Sequence, residues 1–127
     1  MQYKNLFSPI KIGNLEIPNR IALSPMGIGV YNDDETVADK YIDFIKARTE
    51  EIGLIIVTGC RVSSKYGKAK FFGCHSDDQI PGLTKLAKVA HVNGARIFLQ
   101  ILALGGMDAE EAYVPSVNIP NFQENWT

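Results

Sequence analysis

Three places in the chain join hydrogen-bonding side chains to small residues at the end of an apolar run. They are Ser24-Pro25-Met26-Gly27, Thr58-Gly59-Cys60 and Gln100-Ile101-Leu102. Gln100 stands out, because Ile97-Phe98-Leu99 precede it and Ile101 to Leu104 follow it before Gly105-Gly106. A strand apolar on both faces belongs to a sheet covered on both sides, usually a parallel one. An amide left unpaired there costs about 1–3 kcal/mol, so a partner for Gln100 is expected. Three such strand ends suit a flat ligand with a polar edge, glycines allowing its close approach. The plainer reading is that the glycines end strands and Gln100 caps a loop; spacing alone leaves both open.

Other chemistries find less support. No G-x-G-x-x-G follows a strand, and G-x-x-x-x-G-K-[ST] is absent. No G-x-S-x-G elbow occurs, and Ser24 has no evident histidine and acid partners. Asp33-Asp34-Glu35 and Asp77-Asp78 precede helical patterns and read as capping groups. Lys65, Lys68 and Lys70 read as a solvated basic loop. Cys60 and Cys74 make no metal spacing; His75 adjoins Cys74 without a third ligand, so no metal is expected. Asn125-Trp126-Thr127 fits a glycosylation pattern, which carries no weight without a secretion signal. The net charge of −1 gives no electrostatic case for nucleic acid or an anionic membrane. No apolar run approaches the ~20 residues of a span, and Met1–Asn5 lacks a signal-peptide core. The expected compartment is the cytoplasm.

Positioning these residues requires strands. At 127 residues the chain is one domain at most. A hairpin is expected over residues 6–18, with Ile10, Ile12, Leu15 and Ile17 alternating about a Gly13-Asn14 turn. A β-α-β-α-β run over 20–106 follows. Its strands are Arg20–Ser24, Leu54–Thr58 ended by Gly59, and the one carrying Gln100. Val37, Tyr41, Phe44 or Ile45, and Arg48 recur at helical spacing behind a Thr36 cap; Gly53 marks the exit. Ile80, Leu83, Leu86, Ala87 and Ala90 give the second helix its apolar face, capped by Asp77 or Asp78 and ended by Gly94. Residues 107–127 show no period. Strands alternating with amphipathic helices mean parallel α/β construction.

Taken in order, these residues resemble the old yellow enzyme family, FMN-dependent ene-reductases with a (β/α)8 barrel. Within it the chain looks like the bacterial NADH:flavin oxidoreductases that include 2-enoate and 2,4-dienoyl-CoA reductases. The matching stretches are Leu6-Phe7-Ser8-Pro9-Ile10-Lys11-Ile12-Gly13, Pro18-Asn19-Arg20-Ile21, Ser24-Pro25-Met26, Gly53 through Gly59, and Gly94-Ala95-Arg96 through Gln100 with Gly105. The resemblance implies an α/β fold: an N-terminal hairpin plus the first three β/α units of a TIM (β/α)8 barrel, incomplete. It implies FMN as cofactor, with the backbone around Pro25, Met26 and Gly27 beside the isoalloxazine. Gly59 would let the ring approach, and Gln100 would hydrogen-bond its pyrimidine end. NAD(P)H as reductant and an enoate or enone-type substrate follow from the same likeness.

Two departures bear on activity. The family commonly keeps histidine and arginine where this chain has Ala103 and Gly106, and often Thr or Cys where it has Gly27. No catalytic residue is therefore carried over. A complete barrel takes about 250 residues, so the chain alone reads as an inactive fragment or truncated member. The alternatives are a non-enzymatic β/α interaction module, self-associating through its uncovered apolar face, and a split subunit completed by another chain.

Overall fold

The computed structural model describes residues 3–64 and 71–103. Strands β1 (Ile10–Ile12) and β2 (Leu15–Ile17) form the expected hairpin, Ile10 opposite Ile17 and Ile12 opposite Leu15. Gly13 turns the chain at φ 58°, a conformation glycine adopts without a Cβ clash. Of its four apolar residues only Ile17 is buried, and the ribbon stays separate from the main sheet. Arg96 Nε donates to the Glu16 carbonyl at 3.1 Å, which ties the hairpin to the start of the last strand.

The main body runs β3 (Ala22–Leu23), α1 (Asp39–Lys46), β4 (Leu54–Arg61), α2 (Ile80–His91) and β5 (Arg96–Leu102). Its three strands pair in parallel in the order β3-β4-β5, the α/β alternation expected. Both helices cover one face. Tyr41, Ile42 and Ile45 of α1, with Leu86 and Ala90 of α2, pack on Ile55, Val57 and Cys60 of β4. Burying a side chain of Leu86's size contributes roughly 1.5–3 kcal/mol. No described helix is long and apolar enough to cross a membrane.

Several local expectations are corrected. Thr36 does not cap α1: its amide and hydroxyl donate to Asp34 Oδ1 at 3.0 and 2.6 Å, and the helix starts at Asp39 with Ala38 as N-cap. Ser76, rather than Asp77 or Asp78, caps the turn leading into α2, in a reciprocal capping box with Gln79. Glu35 sits at φ 61°, its carboxylate turned to Arg61 and His75 rather than to the start of α1. Gly59 does not end its strand, which continues to Arg61. Nor is β5 covered on both faces: Phe98, Leu99 and Ile101 are 37%, 38% and 68% exposed. The cause is topological, since among the described residues β5 is an edge strand and the helices lie on one side only.

Candidate functional site

The site is shaped by a bulge in β4. Strands β4 and β5 pair from Leu54↔Arg96 to Val57↔Leu99, then again at Cys60↔Ile101. Three steps along β4 thus match two along β5, so Thr58 and Gly59 together stand opposite Gln100. The extra residue resets the alternation of faces. Ile55 and Val57 face the helices before the bulge, and Cys60 does so after it. Gly59 and Arg61 therefore turn to the open face, with Phe98, Gln100 and Leu102. Close approach agrees: a Cβ on Gly59 would meet Leu102.

Within the bulge the Thr58 amide points to the side where β3 has ended, and Tyr41 Oη accepts it at 3.0 Å. Tyr41 is buried, its ring 5.3 Å from that of Phe72 and 6.0 Å from that of Phe44. Burial raises the Tyr41 pKa, opposed by the Thr58 hydrogen bond.

The residues singled out from sequence meet at the C-terminal ends of adjacent strands. Half-buried Pro25 and exposed Met26 and Gly27 follow β3, Gly59 lies in β4, and Gln100 in β5. Gly27 adjoins the bulge, since a Cβ there would lie 3.7 Å from Thr58 Oγ1. Gln100, however, is exposed, and its side chain makes no hydrogen bond among the described residues. The argument from a buried amide is thus corrected: the open face lets water satisfy it. Ala103 is exposed beside β5, whereas Gly105 and Gly106 lie outside the described residues, as do Lys65, Lys68, Lys70 and residues 107–127.

A charged group on the same rim was not anticipated. Arg61 Nη1 contacts Glu35 Oε1 at 2.5 Å, and Arg61 Nη2 donates to the Ser64 carbonyl at 2.9 Å. His75 Nε2 lies 2.7 Å from the other Glu35 oxygen and 3.3 Å from Gln79 Nε2. Gln79 Oε1 accepts the amides of His75 and Ser76 at 2.8 and 3.0 Å. One carboxylate thus joins the loop after β3, the end of β4 and the loop before α2. The available signal was Arg61 itself: an arginine closing an apolar strand needs a carboxylate partner if buried.

Covalent chemistry has no support here. Cys60 is fully buried, and burial, then neighbouring Cys74, pushes its pKa up, keeping it a neutral thiol. No group of three or more metal-ligating side chains occurs among the described residues. What the strand ends offer is a binding platform: an open apolar surface bordered by Gln100 and by the Pro25–Gly27 backbone.

This platform has known relatives. Residues 5–123 match the NADH:flavin oxidoreductase / NADH oxidase family, and the chain belongs to it. A probable NADH-dependent flavin oxidoreductase, YqiG, of Bacillus subtilis is 37% identical over 122 residues, covering 93% of this chain and 32% of that protein. A cinnamate reductase of Clostridium sporogenes is 36% identical over 109 residues, covering 80% of this chain and 16% of that one. Among solved structures, the old yellow enzyme from Trypanosoma cruzi superposes with a TM-score of 0.75 at 28% identity, over 83% of this chain and 28% of that one. The chain spans about a third of these relatives or less.

Proposed function

We propose that this chain forms the N-terminal hairpin and first three β/α units of an FMN-binding (β/α)8 barrel of the ene-reductase type. The observation that carries the reading is the meeting of Met26, Gly27, Gly59 and Gln100 at the ends of three adjacent parallel strands, where such folds bind ligands.

The residues suit the ring of FMN. Gln100 presents an uncommitted amide, offering both donor and acceptor to the pyrimidine edge. Gly27 leaves the rim low, a Cβ there meeting nothing closer than Phe71 Cε1 at 3.4 Å. Gly59 acts indirectly: its missing side chain leaves room for Leu102 to lie across the strand. FMN, when bound, supplies hydride acceptance from a nicotinamide and hydride donation to an activated alkene. Cinnamate, in the name of one relative, is an enoate, which supports that substrate class. The chain's own part is to bind and orient; with Ala103 at the family's histidine position, it offers no substrate donor there. Alone it is expected to be inactive.

The test is FMN titration of the purified chain by flavin fluorescence, beside Gln100→Leu, with an NADH-dependent enone reduction assay. Expected are FMN binding weakened about tenfold by the substitution, a loss on the scale of one or two hydrogen bonds, and no alkene reduction. Equal affinity in both chains overturns the site, and turnover by the chain alone overturns its inactivity.

A second reading rests on exposed Phe98, Leu99 and Ile101 along the β5 edge, an apolar surface suited to association. There the chain is an interaction module, or a split subunit joined by a complementing chain. A colourless oligomer in light scattering, without FMN binding, favours it.

A further inference from the structure

A buried amide without an acceptor costs about 1–3 kcal/mol. Thr58, in the β4 bulge, carries a buried amide on the side of the strand where β3 has already ended at Leu23. It is 5% exposed, so water is a poor substitute, and Tyr41 Oη stands 3.0 Å away as acceptor. The hydroxyl comes from a different element, seventeen residues earlier in the chain. Its ring is held by Phe72 and Phe44. The bulge also holds Gly59, which receives Leu102, and beyond it lies Arg61, which joins Glu35.

We propose that Tyr41 is a positioning residue for the candidate site: by accepting the Thr58 amide it pins the β4 bulge. The bulge, in turn, presents Gly59 and Arg61 beside Gln100 and turns Cys60 into the helix-covered core. Phenylalanine could fill the same space but could not accept the amide. Without the acceptor, the end of β4 beyond Val57 leaves the ladder more often, and the buried Cys60 thiol meets solvent. The flavin consequence rests on the proposed function; the pinning of the bulge does not.

Tyr41→Phe in a Cys74→Ser background tests this, with 5,5′-dithiobis(2-nitrobenzoate) as the probe of Cys60. Ser76→Ala in the same background serves as the stability control, since it loses the capping box ahead of α2, whose hydrogen bonds run to Asp78 and Gln79 rather than to Tyr41 or Thr58. Backbone amide exchange by NMR gives a second reading. Expected are at least tenfold faster Cys60 labelling and tenfold faster Thr58 exchange in Tyr41→Phe. The amides of Ile55 and Val57 keep their wild-type rates, and Ser76→Ala labels as slowly as the parent. Equal Thr58 exchange with and without the hydroxyl overturns the proposal, as does a Thr58 amide unprotected in the parent. Uniform acceleration along β4, or equally fast labelling in Ser76→Ala, overturns it too, by showing general destabilisation. FMN titration separates the two readings. Tenfold weaker binding in Tyr41→Phe extends the pin to the site, and unchanged affinity overturns that extension. A parent chain that takes up no FMN removes the flavin reading while exchange and labelling still decide the bulge.

Discussion

Leu102 occupies the space that a side chain on Gly59 would need: a Cβ built there falls 2.6 Å from Leu102 Cδ2 and 3.2 Å from Leu102 Cβ. Gly59 sits in the β4 bulge and Leu102 pairs with Arg61, so neither can step aside without moving the β4–β5 ladder. Gly59→Ala is therefore expected to destabilise the chain by about 1–3 kcal/mol through overpacking. Leu102→Ala in the same molecule should return part of that loss, a non-additivity that urea denaturation of the two single variants and the double would reveal.

Gly27 gives the opposite expectation. A Cβ there would lie no closer than 3.4 Å, to Phe71 Cε1, which is ordinary contact, and its φ is outside the left-handed range. Gly27→Ala should leave the thermal midpoint within the range of a surface change, about 0.5 kcal/mol either way. A loss as large as that of Gly59→Ala would show that the loop after β3 packs more tightly than its geometry indicates.

Glu35 joins three segments at the rim, and it does so from φ 61°, where a glutamate is held only if its surroundings demand it. Arg61 is the reason, its side chain 7% exposed. Glu35→Gln keeps the backbone and the shape but leaves the guanidinium buried against a neutral partner. The expected loss is about 3 kcal/mol, the cost of breaking a buried pair from one side. Denaturant midpoints measured beside Glu35→Gly would separate the ion pair from backbone strain, because glycine removes both.

Alkaline conditions should weaken the fold in two stages. Burial raises the pKa of Cys60 and of Tyr41 above their ordinary values of 9.0 and 10.0. The folded state therefore holds these protons more tightly than the unfolded chain does. Their contribution is complete below the ordinary values and falls as pH rises, first for the thiol and then for the phenol. Urea midpoints recorded from neutral pH upward should decline above about pH 9, where a thiol in the unfolded chain ionises. Cys60→Ala should flatten the earlier part of that decline and leave the later part.

The sequence made the scaffold legible where local rules act alone. Gly13 permits the hairpin turn, and the spacing of Leu83, Leu86 and Ala90 marks α2. It could not show the bulge, because an unbroken apolar run such as Leu54–Val57 carries no alternation from which a change of face could be read. Ser76 and Asp77 are equally good capping residues by type, so only backbone geometry decides between them. The meeting of Met26, Gly59 and Gln100 at adjacent strand ends follows from parallel β/α order and was legible. The exposure of Gln100 was not, since it depends on what covers the other face of the sheet. Glu35 and His75 lie forty positions apart, and nothing local to either predicts their contact.

The link from Arg96 to Glu16 has a kinetic consequence. It joins residues eighty positions apart, so forming it early would close a long loop of unstructured chain. The entropy of closure grows with the logarithm of loop length, and a single hydrogen bond cannot offset it. Once the intervening strands and helices have paired, the same two residues are already neighbours and the loop is short. The hairpin should therefore dock last in folding and detach first in unfolding, which makes Tyr3, just ahead of it, a natural place for a probe of the final step.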